Sequence, residues 1–145
     1  MEVYTIGFTK RKAADFFGAL RHANIKRLFD VRLNNSSQLA GFTKKEDLPF
    51  FLKELCGAEY IHEPLLAPTQ DLLDAYRKQK GSWQEYKNGF LELMNQRRIE
   101  EYIDKELFNV PSILLCSEPT ADYCHRRLVL EYLQDRWGGI TIVHL

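Results

Sequence analysis

A chain of 145 residues is long enough to bury one sizeable core, and its 20 Lys and Arg balance 20 Asp and Glu, so it carries no net charge. Neutrality argues against coating nucleic acid by bulk charge, while a local basic patch stays open. No apolar run approaches the roughly 20 residues of a membrane span, no basic segment leading into an apolar stretch marks a secretory signal, and three Cys are too few for a disulfide scaffold, which points to reduced thiols in a cytoplasmic setting.

In chain order, Val3-Tyr4-Thr5-Ile6 reads as a strand ending at Gly7. Thr9 can cap a helix whose apolar Ala13, Phe16, Phe17 and Leu20 fall at helical spacing. Ile25 to Val31 reads as a second strand, followed by a polar turn from Asn34 to Gln38. Lys44 to Leu55 is expected as a helix closed by Gly57, and Glu59 to His62 as a short third strand. Thr69 caps a helix running to Lys80. Ser82 and Glu85 form a capping box that opens a helical stretch to Phe108, broken near Asn95. Val110 to Cys116 reads as the fourth strand. A helix from Tyr123 carries Val129, Leu133 and Trp137 at four-residue spacing and ends at Gly138-Gly139, and Ile140 to Leu145 reads as the last strand. This alternation predicts an α/β protein: one domain over residues 1–145, with a mostly parallel sheet of about five strands flanked by helices.

In an open α/β sheet, ligands bind beyond the carboxyl ends of the strands, so the residues delivered there are the candidates. Strand one delivers Gly7, Phe8 and Thr9; strand two Asp30 and Arg32, then Ser36 and Ser37; strand four Cys116, Ser117 and Glu118. The next helix opens with Cys124, His125 and Arg126, and the last strand ends at His144. With Asp122 as cap, Cys124 would sit in the first turn of its helix, where the dipole and free N–H groups favour a thiolate; the structural alternative is a buried Cys packed on Leu128. Cys116 ends an apolar strand, as nucleophilic thiols do. A phosphatase-like loop is excluded, because position 122 is Asp and no Gly lies between. Rhodanese sulfurtransferases also place Asp-Val-Arg after one strand and Cys after a later one, but with a glycine-rich cradle that this chain lacks.

Arg32 and Arg126 offer planar forks to phosphate or carboxylate, and Asp30 could hold one of them in place, either for an anion or as a purely structural pair. Cys116, Glu118, Cys124, His125 and His144 could alternatively supply Zn ligands, although no compact Cys-x-x-Cys pair is present. Cys116 with Cys124 as a redox pair is a further use of the same atoms. Trp83 and Tyr60 could stack on bases if the partner were nucleic acid.

The chain resembles the domain-of-unknown-function 488 family of bacterial and archaeal proteins. Thr5-Ile6-Gly7, Asp30-Val31-Arg32, Leu114-Leu115-Cys116-Ser117-Glu118, Cys124-His125-Arg126, Tyr60, Trp83 and Val143-His144 carry the resemblance. It departs from that pattern at Phe8-Thr9, where His-Ser is frequent, at Asn35, where Pro is usual, and at Leu66-Ala67-Pro68, where glycines are frequent. The resemblance implies a compact α/β domain with a polar cleft and no defined reaction.

The expectation is therefore an anion-accepting cleft at the strand ends. Cys124 or Cys116 would be the nucleophile, and His125 or Glu118 would move protons. Gly7, Thr9, Asp30, Arg32, Ser37, Tyr60 and Arg126 would form the ligand-binding set, without a cofactor. A small anionic ligand is favoured over nucleic acid as partner, and no membrane is expected. A regulatory or nucleic-acid-binding module and a Zn protein are the alternatives.

Overall fold

The computed structural model describes residues 1–36 and 38–145, so Ser37 lies outside the described residues. The strands are β1 (Glu2–Gly7), β2 (Arg27–Asp30), β3 (Glu59–His62), β4 (Ser112–Cys116) and β5 (Thr141–His144). They form one sheet in the order β3-β2-β4-β1-β5, with every pairing parallel. The helices are α1 (Ala13–His22), α2 (Leu48–Cys56), α3 (Gln70–Arg77), α4 (Trp83–Arg97), the single turn α5 (Ile99–Tyr102) and α6 (His125–Trp137). The predicted α/β class and the parallel five-stranded sheet are what the molecule has.

Both faces of the sheet are covered. β4 is buried along its whole length, as its Ser-Ile-Leu-Leu-Cys run requires of a central parallel strand. The two-residue period of the strand sends Ile113 and Leu115 to one core, with Phe16, Leu20, Leu48 and Leu52 of α1 and α2. Leu114 and Cys116 face the other core, with Phe90, Met94, Leu128 and Leu133 of α4 and α6.

The connections leaving β1 and β2 pass to the first face, and the one leaving β4 passes to the second. The chain therefore parts around the carboxyl end of β4, the position where such sheets bind ligands. The register brings the strand ends level there: Gly7 pairs with Cys116, Thr5 with His144, and Asp30 with both Leu115 and His62.

Several boundaries differ from the sequence expectation, each for a local reason. α1 starts at Ala13 rather than near Thr9, because the Thr9 backbone N–H is tied to the Ser117 carbonyl at 3.2 Å and Lys10 turns the chain at φ 63°. α2 starts at Leu48 rather than Lys44; Pro49 lies in its first turn, the place in a helix that tolerates a missing N–H. The long helical stretch breaks at Arg98, in the left-handed region at φ 50°, three residues beyond Asn95. The caps at Thr69 and Ser82 are present: their hydroxyls accept from Leu72 N–H at 3.2 Å and Glu85 N–H at 3.1 Å.

Gly7 is the tightest point. A Cβ built there would lie 1.6 Å from the Glu118 carbonyl oxygen and 2.8 Å from Nη1 of Arg126. The β4–α6 loop thus rests directly on the end of β1, which only glycine permits. Gly7→Ala should destabilise the fold by about 2–3 kcal/mol or more, read as a lowered urea midpoint. Gly18→Ala, which meets nothing within 4 Å, should leave the midpoint unchanged or raised.

Candidate functional site

The loop after β4 returns the chain so that Cys124 faces the end of its own strand. Cys124 is extended, at φ −131° and ψ 140°, and α6 begins at His125. This corrects the expected geometry. Cys124 is itself the residue that precedes the helix rather than a member of its first turn, and no side chain caps the helix start. The return has a direct result: the ligating atoms of Cys116, Cys124 and His125, all three buried, lie within 4.8 Å of one another.

The histidine is oriented by the backbone of the neighbouring strand. Its Nε2 lies 2.7 Å from the Val31 carbonyl oxygen, which can only accept, so Nε2 carries a proton. In the neutral ring Nδ1 is then the lone-pair nitrogen, and it faces Cys116 Sγ at 3.6 Å. Burial opposes ionisation of Cys116, but the Cys124 thiol, the adjacent His125 and the Glu118 backbone N–H outweigh it and hold the Cys116 thiol well below its ordinary value. Burial also opposes charge on His125, and the Cys116 sulfur overcomes it, so the imidazole is raised. Cys124 is pushed the opposite way from Cys116, by burial and by the sulfur beside it. The two adjacent thiols are thus pushed in opposite directions, Cys116 toward the thiolate and Cys124 toward the protonated thiol.

Arg126, the next residue of α6, is wholly buried. Its Nη1 donates to the Glu118 carbonyl at 2.7 Å and its Nε to the Thr5 hydroxyl at 3.2 Å. The Thr5 hydroxyl is also hydrogen-bonded to Nδ1 of His144. Burial and the Arg126 charge hold His144 below its ordinary value, hence neutral. Arg126 Nη2 has no partner among the described residues.

The second wall is a buried ion pair. Arg32 Nε and Nη2 meet the two Asp30 oxygens at 2.8 Å each. Nη1 donates to the Thr43 hydroxyl at 2.9 Å and Nη2 also to the Thr43 carbonyl at 2.6 Å. The Tyr60 hydroxyl donates to Asp30 Oδ2 at 2.6 Å, and Asn35 Nδ2 to the same oxygen at 3.3 Å. With Arg32 only 2% exposed, Asp30, Arg32 and Tyr60 serve one another. Burial opposes the Asp30 charge, and Arg32 overrides it, so the carboxyl is held below the usual range. Burial and Asp30 both raise Tyr60.

Two hollows open at this edge. A pocket of about 200 Å³ is lined by Cys124, His125, Glu118, Arg77 and the aromatic rings of Tyr76, Tyr86 and Tyr123. A wider cleft of about 770 Å³ runs over Phe8, Thr9, residues 33–36 and Ser117, and Arg77 borders it too. Cys116 lines neither. Glu118 turns its carboxylate to Arg77, with Nη2 and Oε1 2.6 Å apart, rather than to the thiols.

Of the residues expected from sequence, Cys116, Cys124 and His125 come together. Gly7, Arg126 and the Glu118 backbone brace them, and Thr9 lines the wider cleft. Ser37 lies outside the described residues. Arg77, Thr43 and the Val31 carbonyl were not anticipated. Arg77 reads as the polar side of an amphipathic helix, and a backbone carbonyl has no signature in sequence.

Asp30→Asn leaves Arg32 buried without its counter-charge and should cost about 3–5 kcal/mol, measured by urea unfolding at neutral pH. Because the Asp30 carboxyl ionises at lower pH folded than unfolded, the pair's contribution is full above about pH 4 and is lost as pH falls through the depressed value. The variant should therefore show a flatter loss of stability in acid than the parent.

The model of the family described as "Domain of unknown function DUF488" matches residues 12–133 of the chain. That span holds Asp30, Arg32, Cys116, Cys124, His125 and Arg126, while Gly7 and His144 lie outside it. No curated protein and no solved structure matches the chain. A match over most of the 145 residues settles the affiliation, and the chain belongs to the DUF488 family.

Proposed function

We propose that the protein is a thiol-dependent enzyme acting on a small phosphate-, sulfur- or carboxylate-bearing ligand held at the carboxyl edge of the sheet. One observation carries this reading: His125 is locked by the Val31 carbonyl at 2.7 Å so that Nδ1 faces Cys116 Sγ at 3.6 Å. A nucleophile, a base and a fixed orienter of that base are the parts that covalent thiol catalysis needs. Cys124 and His125 bring this chemistry to the wall of the smaller pocket. The start of α6 supplies positive potential for an anionic group, and Arg77, paired with Glu118, borders the same pocket. Arg32 acts here as a positioning residue, since Asp30 and Thr43 engage its guanidinium. Glu118 positions Arg77. No helix among the described residues is long and apolar enough to cross a membrane, and a site that depends on free thiols suits a reducing cytoplasm.

A second reading rests on the same convergence. Two sulfurs and a nitrogen within 4.8 Å of one another, with the imidazole's other N–H on a backbone carbonyl, are a donor set that Zn²⁺ accepts. Metal analysis of protein purified without a polyhistidine tag separates the two: stoichiometric zinc supports the metal site, and its absence leaves the thiolate. Nucleic acid is less well supported, because Tyr60 is bonded to Asp30 and Trp83 packs among Tyr76, Tyr86 and Tyr123.

Alkylation by iodoacetamide, followed residue by residue across pH, tests the thiolate. Cys116 should react at a rate already level at neutral pH, whereas an ordinary thiol rises toward about pH 8.5. His125→Gln removes the cationic partner and should lower the Cys116 rate at pH 7 by about tenfold or more, the equivalent of one unit in its ionisation. Cys116 and Cys124 both staying inert until the protein unfolds overturns the reading.

A further inference from the structure

Resting on that thiol-dependent reading and deepening it, we infer that Cys116 and Cys124 are a redox pair that reduces a small disulfide, with Cys124 the thiol that meets the substrate and Cys116 the thiol that resolves it. Three geometric facts support the division of labour. Cys124 lines the pocket of about 200 Å³, and Cys116 does not reach either hollow. The two sulfurs lie within 4.8 Å of each other and of His125 Nδ1. Cys124 precedes α6, in extended backbone and without a capping hydrogen bond from its side chain. Its side chain can therefore turn toward Cys116 without unwinding a helical turn, which is the movement needed to bring the sulfurs to a bonded distance of about 2.05 Å.

The chemistry balances with the disulfide as oxidant. The Cys124 sulfur attacks one sulfur of the substrate and passes its proton to the Cys116–His125 pair. A Cys124–substrate bond forms, the substrate S–S bond breaks, and the first leaving thiolate takes a proton from His125. Cys116, again a thiolate once its remaining proton moves to His125, attacks the Cys124 sulfur. The Cys116–Cys124 bond forms, the mixed disulfide breaks, and the second thiolate leaves with that proton. Two electrons and two protons pass from the dithiol to the substrate. An external thiol, by the same exchange in reverse, restores the pair.

The probe is glutathione disulfide, mixed with glutathione over a range of ratios and applied to the whole folded chain. Free thiols are then trapped with a maleimide, and peptides are read by mass spectrometry. The expected result is a peptide pair cross-linked through Cys116 and Cys124, with Cys56 behaving as an independent thiol. Cys116→Ser should retain glutathione on Cys124, because nothing resolves the mixed disulfide.

Failure separates from failure of the broader reading through the alkylation profile of the same preparation. A Cys116 thiolate that alkylates at neutral pH while both sulfurs stay reduced at every ratio overturns the redox pair alone. Inert thiols in both assays overturn both readings. A stoichiometric metal that shields the two sulfurs also overturns the redox pair. The wild-type measurement decides even if a variant fails to fold.

Discussion

A single buried guanidinium holds this edge of the molecule together. Arg126 reaches from the start of α6 to the Thr5 hydroxyl on β1 and to the Glu118 carbonyl in the loop after β4. It thereby joins the two sides of one loop to a strand more than a hundred residues earlier in sequence. The loop can come that close because Gly7 has no side chain to obstruct it. Everything chemical follows from this closure: it brings Cys124 back over Cys116 and aims His125, one residue earlier on α6, at Val31. A buried charge on neutral partners is costly, and here it is met by an oxygen on each of two elements while one nitrogen stays without a partner among the described residues. That expense is hard to explain as packing, since a Met or Leu would fill such a space more cheaply.

The second buried charge works by another principle. Arg32 has a carboxylate opposite it, two bonds to Asp30 and two to Thr43. Its net effect is to pin the turn after β2, which carries Val31 and hence the acceptor for His125. The two arginines were equivalent candidates for an anion contact in the sequence; the structure separates them. One completes a closed ion pair, and the other sits among neutral groups at the base of the loop between β4 and α6. The order of atoms from Asp30 through Arg32 and the Val31 backbone to His125 and Cys116 is one continuous support beneath the Cys116 sulfur.

Much of this was readable beforehand because parallel strands end in step. Once Cys116, Asp30 and His144 were recognised as strand-terminal, their convergence followed from the sheet itself. Capping hydroxyls at Thr69 and Ser82 were equally plain. Side-chain direction around the start of α6 was harder. Whether His125 points toward or away from Cys124 depends on where the helix begins, and the loop closure delays that beginning to His125. The lock on the imidazole comes from a main-chain oxygen, which every residue owns, so no residue type announces it. Arg77 escaped notice because its role depends on how α3 packs against the sheet, a property of tertiary structure alone. The late start of α2, by contrast, was announced by Pro49 and could have been read from it.

The Arg77–Glu118 pair has a further meaning for access. It lies at the border between the small pocket and the wider cleft, and both partners are substantially exposed, 53% and 39% of their side chains. An ion pair in that setting contributes about 0–1 kcal/mol, comparable with thermal energy. The boundary between the two hollows is therefore soft. Arg77 borders both hollows, so any movement of its side chain reshapes the wall they share. The wall beside Cys124 is thus drawn in part by a side chain that the fold leaves free to move.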